Sequence, residues 1–161
     1  MSLINHRRRS ARWHGASQKV GQSAAPLFLD RIDIQCEISA LPFKELSKAA
    51  PGEPSAKIRE RVIAARALQT ARFMDVPGVH CNAQMTERMI HQYAEPDEQG
   101  LDLMRLAMER LSLSARAYSR ILKVARTIAD LAASPTVRPE HISEAITYRQ
   151  LDRSDWAERG L

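Results

Sequence analysis

The chain has 161 residues, 44% hydrophobic and 27% charged, which is the composition of one globular domain of ordinary size. Aromatics make up 5%, and no window approaches the ~18 consecutive apolar residues of a membrane helix, so an all-β sandwich and a membrane span are both disfavoured. The net charge of +5 is concentrated in residues 1–26, where Arg7, Arg8, Arg9, Arg12 and Lys19 stand without an acid; the other 19 basic residues match 19 acidic ones.

Residues 1–26 show no apolar period and read as a disordered basic arm. Such an arm can contact phosphates without sequence preference, and it lacks the apolar core of a secretory signal. In residues 27–38, Ile32, Ile34, Cys36 and Ile38 alternate with Asp33, Gln35 and Glu37, the period-two pattern of a half-buried strand. Pro42, Pro51, Gly52 and Pro54 then mark a linker, with room for one helical turn in FKELSKAA.

Ser55 is placed as an N-cap for a helix running to about Phe73, with Ile58, Val62 and Ala65 on one face. Asn82 is the next cap candidate, opening a helix to about Tyr93 with Met85, Met89 and Ile90 as its apolar side. Asp97 can cap a helix whose stripe is Leu101, Met104, Met108 and Leu111. Ser114 is placed before the longest helix, about 115–133. Its apolar stripe is Ala117, Ile121, Val124, Ile128 and Leu131, and its polar stripe is Arg116, Arg120, Lys123, Thr127 and Asp130. Thr136–Arg138 reads as extended, and Pro139 suits the first position of a last helix that turns Ile142, Ala145 and Ile146 inward. The pattern predicts a mainly α fold: about five helices in a small bundle, preceded by one orphan strand.

No phosphate-cradling G-x-x-x-x-G-K-[ST] loop and no G-x-S-x-G elbow occurs. His80 and Cys81 are adjacent, but no partner pair at metal-ligand spacing follows, so no metal site is expected. His91 and His141 stand alone on predicted helices and read as structural. Two cysteines, Cys36 and Cys81, make no disulfide framework, which fits a reducing cytoplasm. Arg31, at the strand entry, and Arg116, in the first turn of the long helix, are by periodicity alone surface ion-pair partners.

Longer runs change that reading. LDRIDI at 29–34, SAKIR at 55–59, LSARAYSRILKVARTIADLA at 113–132 and HISEAITYRQLDR at 141–153 resemble, in order and spacing, the magnesium-chelatase-like AAA+ ATPases of the ComM/YifB-type branch. The resemblance implies the end of an α/β ATPase core at 27–54, with its Pro-rich linker, a helical lid domain at 55–153 and a tail at 154–161. It implies that Arg31 is the arginine finger of the L-D-R motif, catalytic at a neighbouring subunit's ATP. It implies that Arg116 is the sensor-2 arginine, contacting the γ-phosphate. The implied cofactor is ATP with Mg²⁺, and the implied partners are subunits of a homo-oligomeric ring and DNA. Walker A, Walker B and sensor 1 are missing from this sequence, so the expectation is a C-terminal fragment without autonomous ATPase activity. The alternative is an ATP-independent helical module that binds DNA or protein through the basic arm. ATP dependence in the presence of an intact ATPase subunit discriminates the two.

Overall fold

A computed structural model describes residues 32–36 and 51–149. The arm at 1–26, Arg31, the FKELSKAA turn, the tail at 154–161 and the rest of the 27–38 run lie outside the described residues. Five α-helices are present among the described residues: α1 Ser55–Arg72, α2 Glu87–Tyr93, α3 Glu98–Leu111, α4 Ala115–Leu131 and α5 Pro139–Thr147. A short 3-10 turn, Asn82–Gln84, precedes α2.

Helix α4 is the centre of the bundle. It packs against α5, α1, α2 and the 3-10 turn, while α3 packs on α5. Ile121, Leu122, Ala125 and Ala129 of α4 are buried, and Met85, Met89, Ile90, Met104, Val137, Ile142 and Ala145 close around them. The predicted Val124 and Ile128 pack at the edge of this core, and Leu131 is exposed. A helix covered by neighbours on several sides has a broader buried face than one apolar stripe supplies, so Arg126 and Asp130 are drawn inside as well.

The helix ends follow elementary capping chemistry. Asp97 accepts from the Gly100 amide at 2.8 Å and Ser114 accepts from the Ala117 amide at 3.2 Å, both as expected. Pro139 occupies the first turn of α5, where its missing N–H leaves no bond unmade. His141, three residues from Arg138, accepts the Arg138 amide on its Nδ1 at 3.0 Å, so it is structural. Gly100 sits where α3 enters the bundle: a Cβ there would stand 2.7 Å from Pro96 Cβ. Pro96 pairs in a single parallel bridge with Val137, which gives the predicted extended Thr136–Arg138 stretch its partner.

Three expectations are corrected. Ser55 is the first residue of α1 and not its cap; Pro54 precedes the helix, and its carbonyl accepts the Lys57 amide at 3.0 Å. Asn82 is not the cap of the short helix that ends at Tyr93. It is buried in the 3-10 turn, and α2 begins only at Glu87. The third concerns the strand: residues 32–36 are not in one. Ile32 and Ile34 are 40% and 53% exposed and Cys36 is exposed as well, while Gln35 is buried, so the apolar face of the predicted alternation is not the buried one. Alternation buries a face only when a sheet lies beside it. This segment instead takes its hydrogen bonds from the end of the bundle, with the Gln35 amide donating to the Tyr148 carbonyl at 3.0 Å.

The stripe on α1 is half realised. Ala65 and Gln69 are buried, but Ile58 and Val62 remain 41% and 46% exposed, and every residue from Ser55 to Ala64 is exposed. The C-terminal half of α1 is held by a polar core. Arg72 makes a two-pronged contact to Asp130, Nη2 to Oδ1 at 2.6 Å and Nη1 to Oδ2 at 2.8 Å. Asn82 Nδ2 donates to the same carboxylate at 2.8 Å, and Arg126 Nε donates to it at 3.1 Å. Arg126 also donates to the Ser134 and Pro135 carbonyls, holding the turn in which Ala133 takes a left-handed φ of 52°. Burial by itself pushes the Asp130 carboxyl up, but the hydrogen bonds from Arg72 and Asn82 and the charges of Arg126 and Arg72 outweigh it and hold the group below its ordinary value.

Candidate anion-binding groove

The first two turns of α4 form one wall of an open groove of about 610 Å³. Arg116, Ser119, Arg120 and Lys123 come from α4, and Glu87 and His91 from α2 stand opposite. Arg116, Arg120 and Lys123 recur at four and three residues, so they fall on one side of the helix. Over those seven residues the helix rises roughly 10 Å. Glu87 and His91, four apart, likewise share a side of α2.

Each groove side chain has a defined setting. Arg116 is exposed at the N-terminal end of α4, where the helix dipole adds partial positive charge. Arg120 Nη1 donates to Asp33 Oδ1 at 2.9 Å. Lys123 Nζ donates to the Ala83 carbonyl at 3.0 Å, and Ser119 Oγ donates to Glu87 Oε2 at 2.9 Å. Burial, aided by the charge of Glu95, pushes the Tyr118 hydroxyl up, so it stays a neutral donor at physiological pH.

The arrangement suits an anion. Guanidinium groups present planar pairs of donors that match phosphate oxygens, and the lysine adds a point charge. Among the described residues, the one carboxylate in the groove wall, Glu87, already accepts from Ser119. Among the described residues no group of three or more His, Cys, Asp and Glu could hold a metal ion. His80 and Cys81 belong instead to the turn before α2, where Gln84 Oε1 accepts from the His80 amide at 2.7 Å. No described helix is long and apolar enough to cross a membrane.

Of the two arginines singled out in the sequence, Arg116 lies in this groove and Arg31 lies outside the described residues. The structure joins to Arg116 the basic stripe of Arg120 and Lys123. Sequence reasoning missed the opposite wall, although Glu87 and His91 already stood at helical spacing. It also missed Asp33, whose meeting with Arg120 spans 87 residues and leaves no local signal.

The comparisons with known proteins cover the helical part of the chain. The family model described as magnesium chelatase, subunit ChlI C-terminal, matches residues 52–149. The protein named YifB from Escherichia coli is 39% identical over 127 residues, which cover 78% of this chain and 24% of that protein. The competence protein ComM from Haemophilus influenzae is 36% identical over a stretch of the same length and coverage. The Mycobacterium bovis protein Mb2921c is 30% identical over 131 residues, 81% of this chain and 25% of its own length. The chain thus spans about a quarter of the length of the curated relatives it matches. With the family match spanning the whole described bundle, the chain belongs to the magnesium chelatase ChlI C-terminal family.

Proposed function

We propose that this chain works as the lid portion of a magnesium-chelatase-like AAA+ ATPase of the ComM/YifB type. The observation that carries the reading is Arg116 at the N-terminal end of α4, opening a groove walled by Arg120 and Lys123. In this reading Arg116 binds the γ-phosphate of ATP and so reports whether the nucleotide is intact. Arg31 reaches the ATP of a neighbouring subunit and stabilises the charge that develops during phosphoryl transfer. The α4 helix carries that signal into the bundle, because its buried side packs against α1, α2 and α5 together. Mg²⁺ accompanies ATP on the ATPase core, since the described residues of the groove fit an anion and not a metal ion. The partners are further subunits in a homo-oligomeric ring in the cytoplasm, and the ring acts on DNA, as the resemblance to the competence branch implies.

The test is a chimera in which this chain replaces the matching quarter of the Escherichia coli relative. ATP turnover of the chimera is expected to fall about 10³-fold with Arg31→Ala, the lower range for a lost arginine finger. It should fall about 10²-fold with Arg116→Ala, the loss typical of one charge-stabilising donor. Turnover indifferent to both substitutions, in chimeras with unchanged circular dichroism, would overturn the reading. Salt-sensitive DNA binding by this chain alone, lost on deleting residues 1–26 and blind to ATP, would favour the ATP-independent module instead.

A further inference from the structure

The segment 32–36 is fastened to the end of the bundle through its backbone. Arg149 Nη1 donates to the Ile32 carbonyl at 2.6 Å, and the Gln35 amide donates to the Tyr148 carbonyl at 3.0 Å. Arg149 follows α5, with its amide donating to the Ile146 carbonyl at 2.9 Å, and the residue is 1% exposed. A guanidinium is costly to take out of water, so a buried one marks a place where its donors meet fixed acceptors. The bond to Ile32 is short, as charge-assisted hydrogen bonds are. The ion pair of Asp33 with Arg120 is open to solvent and weak by comparison.

The anchored carbonyl belongs to the residue that follows Arg31 in the chain. Consecutive Cα atoms stand about 3.8 Å apart, so the chain runs from Arg31 directly into an anchor on the bundle. We propose that Arg149 is the positioning residue for Arg31, so that the helical bundle governs where this arginine is presented to a neighbouring subunit. This rests on reading Arg31 as the finger.

The reasoning is one of placement. A group that acts on a neighbour's ATP must arrive in register, since a misplacement of about 1 Å can cost about 10²-fold in rate. Residues 32–36 are in no strand, so no sheet ladder holds them there. What fixes them is the pair of backbone contacts to Arg149 and Tyr148, both at the end of α5. Helix α5 in turn packs along α4, through a core that includes Ile121, Ile142 and Ala145. Close-packed helices move together. A displacement of α4 therefore carries α5, Arg149 and the Ile32 carbonyl with it.

Two measurements on Arg149→Met test this; the substitution removes the donors and fills much of the same space. In the full chain, hydrogen exchange of the Gln35 amide should quicken at least about ten-fold, the factor carried by a hydrogen bond from a charged group. The amides of α4 should stay protected. Should the Met variant lose protection along α4 as well, Arg149→Lys carries the same test, because one point donor holds the carbonyl less well than a fork. A Gln35 amide that exchanges at the parent rate in a folded variant would overturn the inference. In the chimera with the Escherichia coli relative, the folded variant should lower kcat by up to about 10²-fold, with KM for ATP within about two-fold of the parent. Combined with Arg31→Ala it should lower kcat no further, an outcome that a merely structural role does not produce. Arg149 and Arg31 losses that multiply, or no loss from the Arg149 variant, with Arg31→Ala still damaging, would overturn this inference and leave the finger reading standing. Turnover indifferent to Arg31→Ala would overturn the two together.

Discussion

Asp130→Asn is expected to be among the most damaging single substitutions in this bundle. The carboxylate is fully enclosed, and it accepts from Arg72, Asn82 and Arg126 at distances of 2.6–3.1 Å. Arg126 is 2% exposed at its side chain and Arg72 15%. An asparagine there presents an amide NH₂ where a guanidinium N–H now points, and two largely buried cations lose the counter-charge they share. Breaking a buried pair in this way costs about 3–5 kcal/mol, most of it the penalty of the orphaned charge. For a domain of about 100 residues that lowers the melting midpoint by at least about 12 °C. Urea denaturation followed by circular dichroism measures it directly. The pH dependence gives an independent check. The Asp130 carboxyl is held below its ordinary value in the fold and regains that value when the chain unfolds. Its stabilising effect is therefore complete above about pH 4, and it fades as pH falls through the lower folded value. Asp130→Asn should lose less stability than the parent chain across that acid interval. A loss below about 1 kcal/mol at neutral pH, with the same acid sensitivity as the parent, would refute the reasoning. It would mean that desolvation of the three charged groups cancels their attraction.

Two further outcomes follow from local geometry. Gly100→Ala should destabilise by about 1–2 kcal/mol in chemical denaturation, although alanine is the better helix former, because the new Cβ meets Pro96 Cβ at 2.7 Å and Asp97 Oδ1 at 3.1 Å. A neutral or stabilising result would mean that the entry to α3 yields easily. Ser114→Ala should cost about 1 kcal/mol through loss of the bond to the Ala117 amide, and Ser114→Asp should restore it, as read from thermal melts. Equal melts for all three would show that α4 does not depend on its cap.

The separation between a buried and an exposed arginine shows how tertiary structure assigns roles that residue type leaves open. Arg116, Arg120 and Arg126 lie on one helix, spaced four and six apart. The first opens the groove, the second is shared between the groove and Asp33, and the third is enclosed and holds the turn after α4. Nothing in the side chain distinguishes them. What distinguishes them is which neighbouring element lies over each direction of the helix.

Much was legible in the residue order because it depends on neighbours within a few positions. The caps at Asp97 and Ser114, Pro139 at the start of α5 and the inward Ile142 and Ala145 all follow from local hydrogen bonding and the 3.6-residue period. The family was legible too, because long runs such as 113–132 carry more information than any short motif. The tertiary structure decided what depends on distant partners. It placed Asn82 and Asp130 in a polar core, where a local reading made one a cap and the other part of a solvated stripe. It left Ile32, Ile34 and Cys36 exposed and buried Gln35, since alternation has no meaning without a sheet to face. It joined Asp33 to Arg120 across 87 residues, a contact that only the folded path of the chain creates. Local periodicity specifies which side of each helix is apolar, while the identity of whatever covers that side is a property of the whole assembly of helices.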